Sequence, residues 1–345
     1  MRKTLTAIII ATLIAVLVIV IMHDIKGGST YQFPRNELFI DIADAYSGEG
    51  NALGAILQHA LHVQYKVYSE GSFELAREIA MESVPSTIFI SVAQEAYYPA
   101  YMDNYAPDWA IAFASDELVL AYSNASLNNP MALAIIDMLN QGFAENNTHL
   151  IYLAFMNLTS GRVLVGISNP LTDPAGYRAF LSLEIAGYLY AGNKSMFFLN
   201  RLLTNSGNRS ATNAAELIAP LEAGQLQFLF IYKSAAISHH LKYIELPPQL
   251  SLGDPQLSSF YSKFHYTAAA GKTFTGEPIY LFISIPANSN NSTLAQLAVE
   301  LLLRNDSFLA NYGLTPLKPA LLFTWGQTPQ FVNELLNDRV ISLPS

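Results

Sequence analysis

The sequence has no cysteine among its 345 residues, which excludes disulfides, zinc–thiolate sites, iron–sulfur clusters and cysteine nucleophiles. Stability must therefore come from packing. Charge is also scarce: 13% of residues are Asp, Glu, Lys or Arg, with a net charge of -9. There is no clustered run of Lys and Arg, so nucleic acid is not an expected partner, because phosphate binding needs concentrated positive charge. The acidic balance does not exclude a small anion, since such sites work through local donors and helix N-termini. No Gly-x-Ser-x-Gly and no His-Glu-x-x-His occurs, so neither hydrolase nor zinc-protease chemistry has support and no enzymatic activity is expected. Gly271-Lys272-Thr273 looks superficially like a phosphate loop, but Tyr266 stands where the first glycine is required. His59 and His62 lie one helical turn apart without an acidic partner, and they read as packing or surface residues, as do His239 and His240. The Tyr97-Tyr98 pair and the aromatic 101–105 stretch read as packing.

What is present is apolar: 51% of the residues are hydrophobic, enough for two lobes of ordinary domain size. Met1-Arg2-Lys3 precedes an apolar run over 5–22, interrupted only by Thr6 and Thr12. At about 1.5 Å per residue this run matches the hydrocarbon thickness of a bilayer. Positive charge on its short side predicts that the remainder lies outside the cytoplasm. No small-x-small cleavage site follows it, so residues 1–22 read as an uncleaved transmembrane helix rather than a signal peptide. Residues 23–35, with Gly27-Gly28-Ser29-Thr30 and Pro34, read as a linker. Eight Asn-x-Ser/Thr sequons, at Asn124, Asn146, Asn157, Asn193, Asn208, Asn290, Asn291 and Asn305, point to an N-glycosylated extracellular protein.

From residue 36 short apolar strands alternate with amphipathic helices, the pattern of an α/β fold with largely parallel sheets. Strands are predicted over 38–42, 64–68 and 87–92, with helices over 53–61 and 73–81 between them. Strands over 117–122 and 279–285, the latter bounded by Pro278 and Pro286, read as crossovers between two lobes. Between them the pattern gives elements over 162–167, 177–190, 216–221 and 228–232. Lobe one then comprises 36–118 plus 290–345, and lobe two 119–289. In such folds ligands sit at the carboxyl ends of the strands, where helix N-termini point, and a cleft between lobes can clamp a guest.

Several segments carry a resemblance to a known family. Ser168-Asn169-Pro170-Leu171-Thr172-Asp173-Pro174-Ala175-Gly176-Tyr177-Arg178 resembles the S-N-P-x-x-D-P-[CA]-G-Y-R signature of archaeal-type tungstate/molybdate-binding proteins of ABC importers. The stretch from Pro107-Asp108-Trp109 to Ala121-Tyr122 resembles their crossover into the second lobe, and 278–286 their return. Gly71-Ser72 and Ile231-Tyr232-Lys233-Ser234-Ala235-Ala236 resemble two further stations, so the similarity runs in order over 38–320. It implies a two-lobed class II periplasmic-binding-protein fold that binds tungstate or molybdate between its lobes. By the same resemblance the protein is a monomeric ectodomain on an archaeal cell surface, delivers its ligand to an ABC permease and needs no cofactor. The resemblance also implies that Ser47 and Ser72 supply hydroxyl donors from the first lobe. Serines at helix starts sit among free N–H groups at the positive end of the helix dipole, which suits a desolvated dianion.

Asp173-Pro174 is by itself an ideal helix start, with Asp as N-cap and Pro at the first helical position. In the family this aspartate lies against the metal of the bound oxyanion, so Asp173 is expected to contact tungsten or molybdenum. Beside a dianion a carboxylate is otherwise repelled by roughly 8 kcal/mol, for 4 Å and an effective dielectric of 20. Tyr177, one turn later, is a candidate hydroxyl donor. The sequence departs from the family where a second-lobe glutamate is expected: that position is Ile231, which cannot ligate. The residues alone also admit a binding protein for sulfate, phosphate or a small organic acid, or a non-transport sensor ectodomain on the same scaffold.

Overall fold

In the computed structural model, which describes residues 37–344, the chain opens with β1 (Glu37–Ala43), α1 (Ser47–Leu61), β2 (Gln64–Glu70), α2 (Ser72–Ala80) and β3 (Ile88–Ser91). β1 pairs in parallel with β2 and β3, with Ile40 opposite both Val67 and Ile88. Residues 38–43 are all buried, because a strand covered on both faces has no polar side to show. The helix expected over 53–61 begins at Ser47 instead. Gly48-Glu49-Gly50-Asn51 is a poor helix former, but packing overrides propensity: a Cβ on Gly50 would lie 3.0 Å from Ile42, so glycine lets α1 settle onto β1.

β4 (Trp109–Ser115) and β5 (Leu118–Tyr122) are separated by only Asp116 and Glu117, yet they belong to different sheets. After β5 come α3 (Pro130–Ala144), α4 (Thr148–Leu158), β6 (Val165–Gly166), α5 (Pro174–Tyr190), α6 (Met196–Leu203), β7 (Asn208–Arg209), β8 (Phe228–Tyr232), α7 (Lys233–Ser238) and β9 (Lys242–Glu245). A hairpin, β10 (His265–Thr267) with β11 (Thr273–Thr275), leads back to β12 (Tyr280–Ser284). The chain closes with α8 (Ser292–Arg304), β13 (Thr315–Thr324), α9 (Gln330–Asn337) and β14 (Ile341–Ser342). A seven-stranded sheet runs in the order β14-β13-β4-β12-β3-β1-β2, and a five-stranded one in the order β7-β6-β8-β5-β9.

The sheets are mixed rather than largely parallel: β12 runs antiparallel to both β3 and β4, and β5 antiparallel to both β8 and β9. The strands read as crossovers are in fact central strands, β5 between β8 and β9, and β12 between β3 and β4. Their unbroken apolar character comes from that central position. The passage itself is the Asp116–Glu117 turn, held to the returning chain by a 3.0 Å bond from Asp116 N to Ile279 O. The expected strand over 162–167 shrinks to two residues, and the helix over 216–221 is a short 3-10 and α turn.

Among the described residues no helix is long and apolar enough to cross a membrane. The transmembrane helix read at 1–22 and the linker read at 23–35 lie outside the described residues. Of the sequon asparagines, Asn124, Asn146, Asn193 and Asn305 are exposed.

Two carboxyls are folded in without partners among the described residues. Asp41 in β1 and Glu49 in the first turn of α1 are 0% and 2% exposed, and none of their four oxygens is hydrogen-bonded. Burial lifts Asp41 well above its ordinary 3.8 and Glu49 from 4.5 to about 8. A carboxyl whose folded pKa is raised holds its proton more tightly when folded, so the stability it contributes is full below about pH 4.5 and is lost as pH climbs through about 8. Tm is therefore expected to fall between pH 5 and pH 8, each such group contributing about 1.4 kcal/mol per pH unit inside its window. Glu49→Gln should flatten that slope in calorimetric scans. A Tm that rises over this range, or an unchanged slope in the variant, would contradict the account.

Candidate functional site

The carboxyl ends of β1, β2 and β3 all face the five-stranded half, and each is followed at once by a helix start. β2 ends at Glu70, and Gly71 then caps α2 with an extended backbone. A Cβ on Gly71 would lie 2.7 Å from Thr172 O, so the missing side chain is what allows α2 to abut the start of α5. That contact sets the residue before Ser72 against Thr172 and Asp173. Ser72 is fully buried, and its Oγ accepts a 3.3 Å bond from Val92 N at the end of β3, which leaves the hydroxyl proton to donate elsewhere.

Asp173 caps α5 as its sequence context predicts. Its Oδ1 accepts from Ala175 N at 3.0 Å and its Oδ2 from Ala214 N at 2.9 Å. It is 2% exposed, and burial raises its pKa against the pull of the Ala175 and Ala214 amides and of Arg178. The loop before it packs closely, since a Cβ on Gly176 would come 2.2 Å from Ser168 O. Tyr177 is 1% exposed, its ring stacks on Phe274 of the hairpin at 4.2 Å and 8°, and its hydroxyl is buried without a partner.

Ser72, Asp173 and Tyr177 are thus brought into one neighbourhood. Ser47 opens α1 and is half-buried; among the described residues its hydroxyl makes no hydrogen bond to that group. From the same loop, Asp44 and Tyr46 enter instead. Burial, and next the charge of Asp173, push Asp44 up to about 8, and its Oδ2 is buried without a hydrogen bond. Tyr46 is fully buried and stacks on Tyr232 across the seam at 5.7 Å and 27°. Ile231, by contrast, is a core residue of β8 opposite Val119, 1% exposed, while its neighbour Tyr232 reaches the seam.

Arg178 joins the two halves. Its Nη2 donates to Val92 O and its Nη1 to Tyr232 Oη, both at 2.7 Å. At the crossing turn Asp116 accepts from Ser234 Oγ at 2.5 Å and from Glu117 N at 2.7 Å, and burial still lifts its pKa to about 6. Among the described residues two buried polar atoms in this network have no hydrogen-bond partner, Tyr177 Oη and Arg178 Nε, while Tyr46 and Ser168 lie against the carboxyls of Asp116 and Asp173 and help to hold those down. Unpaired groups of this kind are uncommon in folded proteins. Asp44, Tyr46, Arg178 and Tyr232 escaped the sequence reading of the site. Only Arg178 left a signal there, as one of two charges, with Glu184, inside a largely apolar helix. Among the described residues no group of three or more His, Asp or Glu is placed to hold a metal ion.

Comparison with known proteins agrees with this architecture. The family described as bacterial extracellular solute-binding protein matches residues 36–313. An uncharacterized solute-binding protein of Saccharolobus solfataricus is 37% identical over 303 residues, covering 86% of this chain and 74% of that protein. A second, from Sulfurisphaera tokodaii, is 35% identical over 312 residues, 88% and 82% of the two chains. The molybdate/tungstate-binding protein WtpA of Pyrococcus abyssi is 26% identical over 253 residues, 68% and 69% of the two chains. Among solved structures, the sulfate-binding protein SubI of Mycobacterium tuberculosis aligns with a TM-score of 0.58 at 13% identity, covering 89% and 94% of the chains. The periplasmic molybdate-binding protein of Azotobacter vinelandii aligns at 0.51 and 14%, covering 81% and 98%. At these identities the structures speak for the fold alone, a mixed α/β fold like that of periplasmic binding proteins. The sequence matches go further: the chain belongs to the extracellular solute-binding protein family of ABC-transporter type, whose members bind and deliver solutes and are not enzymes.

Proposed function

We propose that this protein captures tungstate or molybdate in the seam between its seven-stranded and five-stranded halves and presents it to the permease of an ABC importer. The observation that carries the reading is the convergence from both halves of Ser72, Tyr46, Ser168, Tyr177 and Arg178, of which Tyr177 and Arg178 each keep a buried polar atom without a partner among the described residues. Each such unpaired group costs about 1–3 kcal/mol, and a tetrahedral oxyanion offers four acceptor oxygens to a set of donors. The halves act as lobes in this reading, with the Asp116–Glu117 turn and the chain returning through Ile279 as the hinge. The relative named for molybdate and tungstate binding supports the choice of anion.

Asp173 favours tungsten and molybdenum over sulfur and phosphorus. A carboxylate beside a dianion is tolerable when it bonds to a Lewis-acidic centre able to expand its coordination, or when it is protonated and donates a hydrogen bond. Asp44, raised to about 8, is suited to the second role at neutral pH. In this reading it supplies from the first half the second carboxyl that Ile231 cannot supply.

Isothermal titration of the purified protein at pH 7 with tungstate, molybdate, sulfate and phosphate tests the proposal. Tungstate and molybdate should bind one to one, with sulfate and phosphate at least about 100-fold weaker, a difference of roughly 2.7 kcal/mol. Heat from none of the four would remove the oxyanion reading, and equal affinity for sulfate would remove the role of Asp173. Asp173→Asn should weaken tungstate binding by more than about tenfold, while stability falls by no more than the roughly 1 kcal/mol of an altered cap. The reverse pattern would leave Asp173 as a cap alone.

A further inference from the structure

Arg178 is the largest fully buried side chain among the described residues, at 1% exposure, and its charge is met by one long ion pair, to Glu277. A guanidinium stays protonated at any physiological pH, so burial has to be offset by a counter-charge or by complete hydrogen bonding. Both groups it donates to, Val92 O and Tyr232 Oη, are neutral, and Nε donates to nothing among the described residues. The carboxylate nearest to it, Glu277, lies 3.7 Å from Nη2, beyond hydrogen-bonding distance, on a side chain 38% exposed. Two rings help to offset the burial. The guanidinium carbon is 5.3 Å from the centre of Tyr177 and 5.8 Å from that of Tyr232, close enough for a cation–π attraction that does not cancel a charge. Burial holds Glu277 at about 7 and Asp44 at about 8, whereas Asp173, raised by burial but accepting from two amides, is pulled down by Arg178, and Asp116 is lifted only to about 6.

Val92 follows β3 in the seven-stranded half, and Tyr232 ends β8 in the five-stranded half. The two bonds of Arg178 therefore exist together only when the halves meet, and meeting buries a cation whose one ion pair is the 3.7 Å contact with Glu277. We propose that Arg178 is the specificity-determining residue for charge, making closure of the seam conditional on a doubly negative guest. The inference rests on the oxyanion reading and deepens it. With nothing bound, closure leaves the guanidinium under-compensated and the open arrangement is favoured. An anion in the seam supplies the missing charge, and at equal size and distance two negative charges attract the guanidinium twice as strongly as one. Hydroxyls such as those of Ser72 and Tyr177 read the shape of a tetrahedral oxyanion, but they discriminate its charge poorly. The guanidinium is the group that tells a dianion from a monoanion of the same shape.

Titration of wild type, Arg178→Gln and Arg178→Lys with tungstate and with perrhenate, a tetrahedral oxyanion of similar size carrying one charge fewer, separates charge reading from simple packing. Wild type should prefer tungstate, and Arg178→Gln should lose about 100-fold for tungstate and about tenfold for perrhenate, so that the preference narrows by about tenfold. Arg178→Lys, which keeps the charge but not the fork, should retain a preference for tungstate. Equal losses for both anions in Arg178→Gln, or an unchanged preference, would overturn the inference and leave the oxyanion reading standing. Failure of wild type to bind either anion would instead remove the oxyanion reading itself. If Arg178→Gln does not fold, the preference of Arg178→Lys decides, and its loss overturns the proposal. If neither variant folds, Arg178 is a structural strut and the proposal is wrong.

Discussion

The start of α2 lies against the start of α5 because residue 71 carries no side chain: a Cβ there would stand 2.7 Å from Thr172 O. On that single close approach depends the neighbourhood of Ser72, Asp173, Tyr177 and Arg178. Two helix N-termini, one from each half, present their free N–H groups and positive dipole ends towards the same seam. Asp173 already occupies part of that positive field, by accepting from Ala175 N and from Ala214 N at the next helix start. The seam is thus ordered before any guest is considered, and the tyrosines within it are held by aromatic stacking, Tyr46 on Tyr232 and Tyr177 on Phe274.

Electrostatically the seam is unusual for an anion site in a protein of net charge -9. Its carboxyls are numerous, but burial raises Asp44, Asp116, Asp173 and Glu277 above their ordinary values. At about 8, Asp44 keeps its proton at neutral pH and can donate a hydrogen bond without repelling an anion. The guanidinium of Arg178 is the fixed positive charge at the centre, bonded to both halves through Val92 O and Tyr232 Oη. Net charge over the whole chain says little about such a site, because the field at a desolvated seam is set within a few ångströms.

Much of the fold was legible in the sequence, and the residues show why. Residues 38–42 and 228–232 are short apolar runs bounded by helix starts, and they became β1 and β8. Asp173-Pro174 names its own role as cap and first helical residue, and the structure places it so. Asn129-Pro130 carries the same signal at the start of α3, where Asn129 Oδ1 accepts from Met131 N and Ala132 N; it is easily passed over because the stretch before it lacks strand-like periodicity. The direction of the strands was not legible. β12 and β5 look alike in sequence to parallel core strands, since both faces are buried in either case, and their antiparallel pairing is set by long-range connections that no local pattern records.

The site was legible in outline but not in composition. Ser72 and Tyr177 sit where motif and helix start coincide, so local pattern located them. Asp44, Tyr46 and Tyr232 are brought in by the closure of one half on the other, a long-range event that no local spacing records. The most direct test of the account is anomalous diffraction at a tungsten edge from crystals of this protein soaked in tungstate. It is expected to give one strong peak within about 4.5 Å of Ser72 Oγ, Tyr177 Oη and the Arg178 guanidinium, the reach of one hydrogen bond plus a metal–oxygen bond. A peak confined to the surface, or no peak at saturating tungstate, would contradict it.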